Sequence, residues 1–338
     1  MSDALLNTLA EALADLVTSV ETADDDVLDL DTGVKWLEST AYILRRLPAA
    51  DRRALDRLFR DAALREPPGP RRDELLQVSE GFGLTEDDHL VHCDLVESYV
   101  ERLVALVREA DPATPVPTCP GWTLADLVKH HAATHRWIEY LVRTRATERV
   151  EPTDGPLDPP GDPAAYADRL AESAELSLRT LRAADPDAPM WCFGADPHAR
   201  FFPRRLLFEA VVHLADAELA LGREPAPVEA GTAADGIDEL LENVPYYSWV
   251  AERVARLGRD GASLRLTATD TGAAWTVTLG GGGFTWQRRA EGDATTTVDG
   301  TAADLLLLLY GRRPADDPRY AHTGDRTLLD AWLTATAL

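Results

Sequence analysis

Between residues 263 and 288 the spacing of apolar residues drops to two, whereas almost everything before it repeats every three to four positions. A chain with that change of period is neither all helix nor all sheet. Ser263-Leu264-Arg265-Leu266-Thr267-Ala268-Thr269, Ala274-Trp275-Thr276-Val277-Thr278-Leu279 and Phe284-Thr285-Trp286-Gln287-Arg288 alternate, and Asp270-Thr271-Gly272 and four glycines, Gly280 to Gly283, join them. The spacing predicts neighbouring antiparallel strands. A fourth short strand near Thr295 to Val298, an apolar helix from Ala302 to Tyr310 and a last helix over about Leu328 to Leu333 complete an α+β unit.

Upstream, four longer helical patterns predict a bundle. The first covers roughly Asp94 to Glu109. The second follows Cys119-Pro120-Gly121-Trp122-Thr123, where Thr123 is the expected N-cap and Asp126 its return partner. A Pro, Asp and Gly-rich loop from Glu151 to Asp162 leads to a third, about Pro163 to Ala184. The fourth has Pro203 in its first turn and stops at Gly222. One more pattern, Gly236 to Leu257, precedes the strands. Residues 1–85 read as short helices: Leu5, Leu9, Leu13 and Leu16 recur at helical spacing, as do Val34, Leu37, Tyr42, Leu44 and Leu47. Asp31 and Asp51 stand where N-caps belong, and Gly81-Phe82-Gly83 followed by Glu86-Asp87-Asp88 marks a boundary. The expected organisation is a helical module over 1–85, a bundle over 86–230 and an α+β domain over 231–338.

A length of 338 residues suits two or three cores. With 58 acidic and 34 basic residues the formal charge is -24, which repels phosphate backbones and anionic membrane surfaces, so nucleic acid and membrane are not expected partners. Leu305 to Leu309 is far too short to span a bilayer, and the start of the chain lacks the pattern of a signal peptide. Cys93, Cys119 and Cys192 are odd in number and widely spaced, which fits no disulfide framework and implies a reducing compartment. The expected location is the cytoplasm.

Glu209 and His213 lie one helical turn apart among Leu206, Leu207, Ala210 and Val212. A carboxylate amid apolar neighbours needs a positive partner, so the pair could chelate a cation; a solvated ion-pair face is the plainer alternative. The second helix carries His130, His131 and His135. By spacing, His131 and His135 form the better chelate, in line with the buried stripe, while His130 lies about 100° round the axis from His131. Any two could bind metal, and any one could be an ordinary core histidine.

Cys119-Pro120-Gly121-Trp122-Thr123-Leu124-Ala125-Asp126-Leu127-Val128-Lys129-His130, with His135-Arg136-Trp137 after it, resembles the N-terminal motif of the maleylpyruvate isomerase family of mycothiol-dependent enzymes, relatives of the DinB-like bundles. Arg204 to His213, continuing to Asp216-Ala217-Glu218, is similar to the family's second motif, and Leu305 to Arg312 to its C-terminal domain. The resemblance implies a DinB-like four-helix bundle and a divalent metal, zinc, on His130, Glu209 and His213. This departs from the spacing, which prefers His131 with His135, and those two remain candidates for the pocket, His135 as a catalytic one. Two imidazoles and a carboxylate leave one tetrahedral position open. The resemblance fills it with the thiol of mycothiol, the small thiol of actinobacteria, activated to attack a small electrophile as cis-trans isomerase or S-transferase. It also implies a catalytic role for Arg312, gripping a substrate carboxylate; a cation facing a helix C-terminus is the alternative. Cys119 reads as structural. A competing reading is a non-catalytic metal-binding protein that recruits a protein partner through residues 1–85.

Overall fold

The computed structural model describes residues 3–21, 27–45, 47, 49–67, 69–82, 88–150, 165–288 and 292–337. The expected loop from Glu151 to Asp162, the start of the third bundle helix at Pro163, and most of the expected boundary after Phe82 lie outside them. The chain forms two compact units, Met1–Val91 and His92–Leu338.

The first unit holds α1 (Asp3–Glu21), α2 (Leu30–Arg45), α3 (Ala49–Arg65) and α4 (Pro70–Gly81). Its core is made by Ala10, Ala14, Val17, Leu44, Phe59, Ala63, Leu75, Val78 and Phe82. The leucine stripe of α1 is not the buried one: Leu9 and Leu16 are exposed, and small Ala10 and Ala14 let the neighbouring helices approach instead. At the start of α2 the cap is Asp29, which accepts from the amides of Asp31 and Thr32 at 3.2 and 3.3 Å. Asp31 sits inside the first turn, where its charge faces the helix dipole.

Helix α5 (Asp88–Arg108) begins in the first unit and from His92 on belongs to the second, where it joins α6 (Leu124–Thr144), α7 (Tyr166–Ala183) and α8 (Phe201–Ala220). These four share one core and form the expected bundle. On α8, Leu206, Leu207, Phe208, Ala210, Val211 and Leu214 are all buried, so apolar residues on every side make it the central element. Gly222 follows its last turn with φ +67°, a left-handed position that suits glycine.

The pattern from Gly236 to Leu257 is not one helix. It is α9 (Ala230–Asn243), a 3-10 turn (Val244–Tyr246) and α10 (Ser248–Ala255), with Pro245 interrupting the ladder. Glu229 opens α9 by accepting from the amides of Gly231 and Thr232. Then come β1 (Ser263–Ala268), β2 (Ala274–Gly280), β3 (Gly283–Gln287), β4 (Thr296–Gly300), α11 (Ala302–Leu309), β5 (Ala321–Gly324) and α12 (Arg326–Thr336). The sheet order is β3-β2-β1-β4-β5. The expected antiparallel pairing holds for β1 with β2 and β2 with β3; β4 and β5, a pair not expected from the sequence, are antiparallel too. The β1–β4 pair runs parallel. Strand β5, four residues long and mostly exposed, carries no apolar alternation and escapes a reading by periodicity. Helices α9 and α11 pack so closely that a Cβ on Gly236 would meet Phe208 at 2.7 Å and Leu306 at 3.0 Å. That contact joins the bundle's central helix to the α+β part. Among the described residues no helix is long and apolar enough to cross a membrane.

Candidate metal centre

A capping box sets the register of α6. Thr123 accepts from the Asp126 amide, and Asp126 accepts from the Thr123 amide at 3.0 Å. Counted from this fixed start, His130 falls at the edge of the buried stripe and faces α8. There Glu209 and His213 stand one turn apart. Oε2 of Glu209 lies 3.2 Å from Nε2 of His213 and 3.9 Å from Nε2 of His130. One donor atom from each of the three residues falls within 4.8 Å of the others. The site is open on one side, for the His130 side chain is 40% exposed.

Each donor on α8 is held from behind. Arg205, 4% exposed, donates through one terminal nitrogen to Oε1 of Glu209 at 3.0 Å. Its other terminal nitrogen bridges both oxygens of Glu239 at 2.9 and 2.7 Å and reaches the Tyr310 hydroxyl at 3.1 Å. Burial favours a neutral Glu209, but the Arg205 charge and the two histidines outweigh it and hold the carboxyl well below its usual range. Nδ1 of His213 lies 2.9 Å from Oδ2 of Asp216. A proton on Nδ1 directs the Nε2 lone pair at Glu209. Burial disfavours positive charge on His213, yet the hydrogen bonds to Asp216 and Glu209 outweigh it and raise the imidazole above its ordinary value. Positive charge at Nε2, whether proton or metal, is what these surroundings favour. Asp216 is itself gripped by Arg312, through Nε at 2.9 Å and a terminal nitrogen at 2.8 Å, and accepts from the Thr118 hydroxyl at 2.5 Å.

The donor set fits a divalent cation such as zinc: two imidazoles and an anionic carboxylate from two helices, each α8 donor oriented by a hydrogen bond. Among the described residues a second group, Cys119, His213 and Asp216, is equally tight. It is the poorer cation site, because Arg312 already neutralises Asp216. Burial and the Asp216 charge push the Cys119 thiol up to about 11, which makes it a weak nucleophile and a weak ligand.

His131 and His135 are completely buried. Their rings lie 5.1 Å apart, and His131 stands 5.6 Å from His213. Nδ1 of His135 is 2.7 Å from the Ser177 hydroxyl on α7. Neither ring nitrogen of His131 has a hydrogen-bond partner among the described residues. Burial lowers His131 well below its ordinary value and His135 to about 4, so both are neutral near pH 7. The stripe that makes them an attractive chelate in the sequence carries them into the interior, whereas the histidine at its edge meets Glu209.

Arg312 has a different neighbour from the one expected. Its fork closes on Asp216, and its remaining terminal nitrogen donates to the Tyr310 carbonyl at 2.7 Å, so a protein carboxylate occupies the geometry a substrate carboxylate was to take. Arg313 turns away toward Asp304 and Glu224. Sequence reasoning missed Arg205, Asp216, Glu239 and Tyr310. Two carried a readable signal: Arg205 is one turn before Glu209, and Asp216 is three residues after His213 on the same face.

The family model described as the mycothiol maleylpyruvate isomerase N-terminal domain matches residues 93–218. The MDMPI C-terminal domain matches residues 232–331. No curated protein sequence matches the chain. Among solved structures, the mycothiol-dependent maleylpyruvate isomerase is similar with a TM-score of 0.45 at 16% identity, covering 70% of this chain and 92% of that one. A mutant of that enzyme gives 0.46 at 15% identity with the same coverage. A UbiJ-SCP2 ubiquinone synthesis protein gives 0.26 at 18%, over 33% of this chain and 93% of that one. Matched in order over more than half of its length by the two domain models, the chain belongs to the mycothiol-dependent maleylpyruvate isomerase family.

Proposed function

We propose that this chain is a mycothiol-dependent metalloenzyme, an isomerase or S-transferase acting on a small electrophile, with one zinc ion on His130, Glu209 and His213. The observation that carries the reading is the convergence of those three donors within 4.8 Å, with Arg205 donating to Glu209 and Asp216 within hydrogen-bond distance of His213 Nδ1. Three protein donors is the number a catalytic zinc takes, one fewer than a closed structural site. Bound there, zinc stabilises deprotonated sulfur, and thiolate is the nucleophile such chemistry needs.

The chain's own residues supply orientation. Arg205 keeps Glu209 charged and fixes which oxygen faces the site. Asp216 holds the proton of His213 on Nδ1, and Arg312 acts through Asp216 as a positioning residue. Neutral, buried His131 and His135 keep further positive charge away from the ion. The Trp122 ring, 5.1 Å from that of His130, shields one flank. In an isomerase the sulfur adds to a conjugated double bond and leaves after rotation about the resulting single bond; in a transferase it stays. The same donors serve both.

The test is calorimetry of mycothiol binding to the full chain loaded with zinc, and to its His213→Ala variant. The reading expects binding to the parent only, and equal binding to both would overturn it. A second reading, partner binding through the first unit, draws on exposed Leu9, Leu16, Trp36, Tyr42 and Ile43 on α1 and α2. It expects deletion of residues 1–85 to lose the partner and leave mycothiol binding intact.

A further inference from the structure

Helix α1 carries two apolar stripes, and the first unit's core takes only one of them whole. Ala10, Ala14 and Val17 enter that core. Leu6, Leu9, Leu13, Leu16 and Val20 step by three and four residues along a second stripe beside it. This spacing sets leucine at both apolar positions of a heptad, the pattern by which one helix seats on another. Leu6, Leu9 and Leu16 are 38%, 54% and 61% exposed, while Leu13 and Val20 are half-buried. Helix α2 starts where the stripe ends, for a Cβ on Gly33 would meet Cγ1 of Val20 at 3.9 Å. On α2, Leu37, Ala41 and Leu44 serve the core. Trp36 and Ile43, two turns apart on one side of the helix, are 56% and 57% exposed.

Charge decides what can cover this surface. The flank of the seam turned away from the core is Thr8, Ala12 and Ser19, and Ser39 and Thr40 stand between Trp36 and Ile43 on their side of α2. None of these is ionisable. Glu11 and Asp15 lie about 160° round α1 from Leu13 and are committed, Glu11 to Arg65 at 3.0 Å and Asp15 to Arg71. A chain of formal charge -24 repels its own copies over most of its surface. A symmetric pair brings the same patch of both copies together, so a face that pairs with itself must be free of single-sign charge, and this one is. A partner recognised through ion pairs would find no counterpart here. Size agrees. Leu6, Leu9, Leu16, Trp36 and Ile43 leave roughly 500 Å² of apolar surface in water, so two copies would cover about 1,000 Å², where specific interfaces begin. The seam alone, about two heptads long, is too short for a coiled coil, which is why the α2 side is needed.

We infer that the α1 seam and the Trp36 to Ile43 side of α2 form the interface of a symmetric pair of chains, the occupant being a second copy. The inference rests on the reading of the first unit as a partner-binding module and names its partner. It is independent of the metal chemistry.

The experiment is sedimentation equilibrium of the full chain between about 1 and 100 μM, the range in which a small apolar interface associates. The inference expects twice the chain mass at the upper end, and pairing that holds or tightens as NaCl rises from about 0.05 to 0.5 M, because salt screens the repulsion between two acidic chains. Leu9→Glu with Leu16→Glu on α1, and separately Trp36→Lys on α2, should each weaken pairing at least about 100-fold, and Leu16→Gln, which keeps helix propensity, about tenfold. Helix content by circular dichroism and zinc content should stay those of the parent in all three, which separates loss of pairing from loss of fold. A parent of single-chain mass at about 100 μM, pairing that weakens with salt, or folded variants that pair as the parent does would overturn it. Seam-dependent pairing in a chain that binds neither zinc nor mycothiol would uphold the interface and sink the metalloenzyme reading. A zinc-loaded, mycothiol-binding monomer would do the reverse, and a monomer that loses a different protein on deletion of residues 1–85 would sink the second copy while sparing the partner-binding reading.

Discussion

Replacing Arg205 by methionine takes the cation out of a pair whose members are 4% and 1% exposed. The Glu239 carboxylate would lose two hydrogen bonds, at 2.9 and 2.7 Å, and keep only the Asn243 amide at 2.9 Å. Breaking one side of such a buried pair costs about 3–5 kcal/mol, most of it the penalty of stranding the other charge. All tryptophans but Trp36 belong to the second unit, so their fluorescence during urea unfolding reports on the region affected. The expected deficit is about 3–5 kcal/mol, and Arg205→Met with Glu239→Gln should recover at least about half of it, because a neutral amide is far cheaper to bury. Zinc affinity separates the two roles of Arg205. In the double variant Glu209 still lacks its Oε1 partner, so affinity should stay about 10–100-fold below the parent even as stability returns. A single variant within about 1 kcal/mol of the parent, or a double variant no more stable than the single, would refute the reasoning.

Three further outcomes follow from the packing and charges. Asp216→Asn keeps the shape but weakens the hold on His213 Nδ1, and titration with a competing chelator should find zinc bound about 10–100-fold more weakly. Burial outweighs the Arg288 and Trp275 hydrogen bonds and raises Asp238 to about 6. Since its folded pKa lies above the unfolded one, the parent loses stability through this group as pH rises from about 4 to 6, and Asp238→Asn should gain on it by up to roughly 3 kcal/mol between pH 4 and 7 in urea unfolding. Gly236→Ala would press a methyl against Phe208 and Leu306 and should cost about 1–3 kcal/mol, read by the same unfolding curves.

The bundle was readable because its signals agree with one another. Thr123 and Asp126 form the box their spacing suggests, and Pro203 and Gly222 bracket α8. Periodicity failed where partner size, not hydrophobicity, chooses the buried face, as on α1, where Ala10 and Ala14 face the core and Leu9 and Leu16 do not. It also passed over Pro245, which splits a continuous apolar pattern into two helices. At the site, the Glu209 and His213 couple was visible one turn apart on a single helix. Which of three neighbouring histidines meets it was not, because that depends on the rotation of α6 against α8. Spacing within one helix prefers His131 and His135, while packing between helices brings His130 to Glu209. The partner of Arg312 was hidden for the same reason, since its contact with Asp216 joins residues 96 positions apart.

X-ray absorption at the zinc edge on the purified full chain, set beside its His130→Ala and His213→Ala variants, tests the central claim most directly. The account predicts one ion per chain with nitrogen and oxygen neighbours, two of them imidazoles, and loss of that ion in either variant. Full metal retention by His130→Ala, or a metal shell with no imidazole in it, would contradict it.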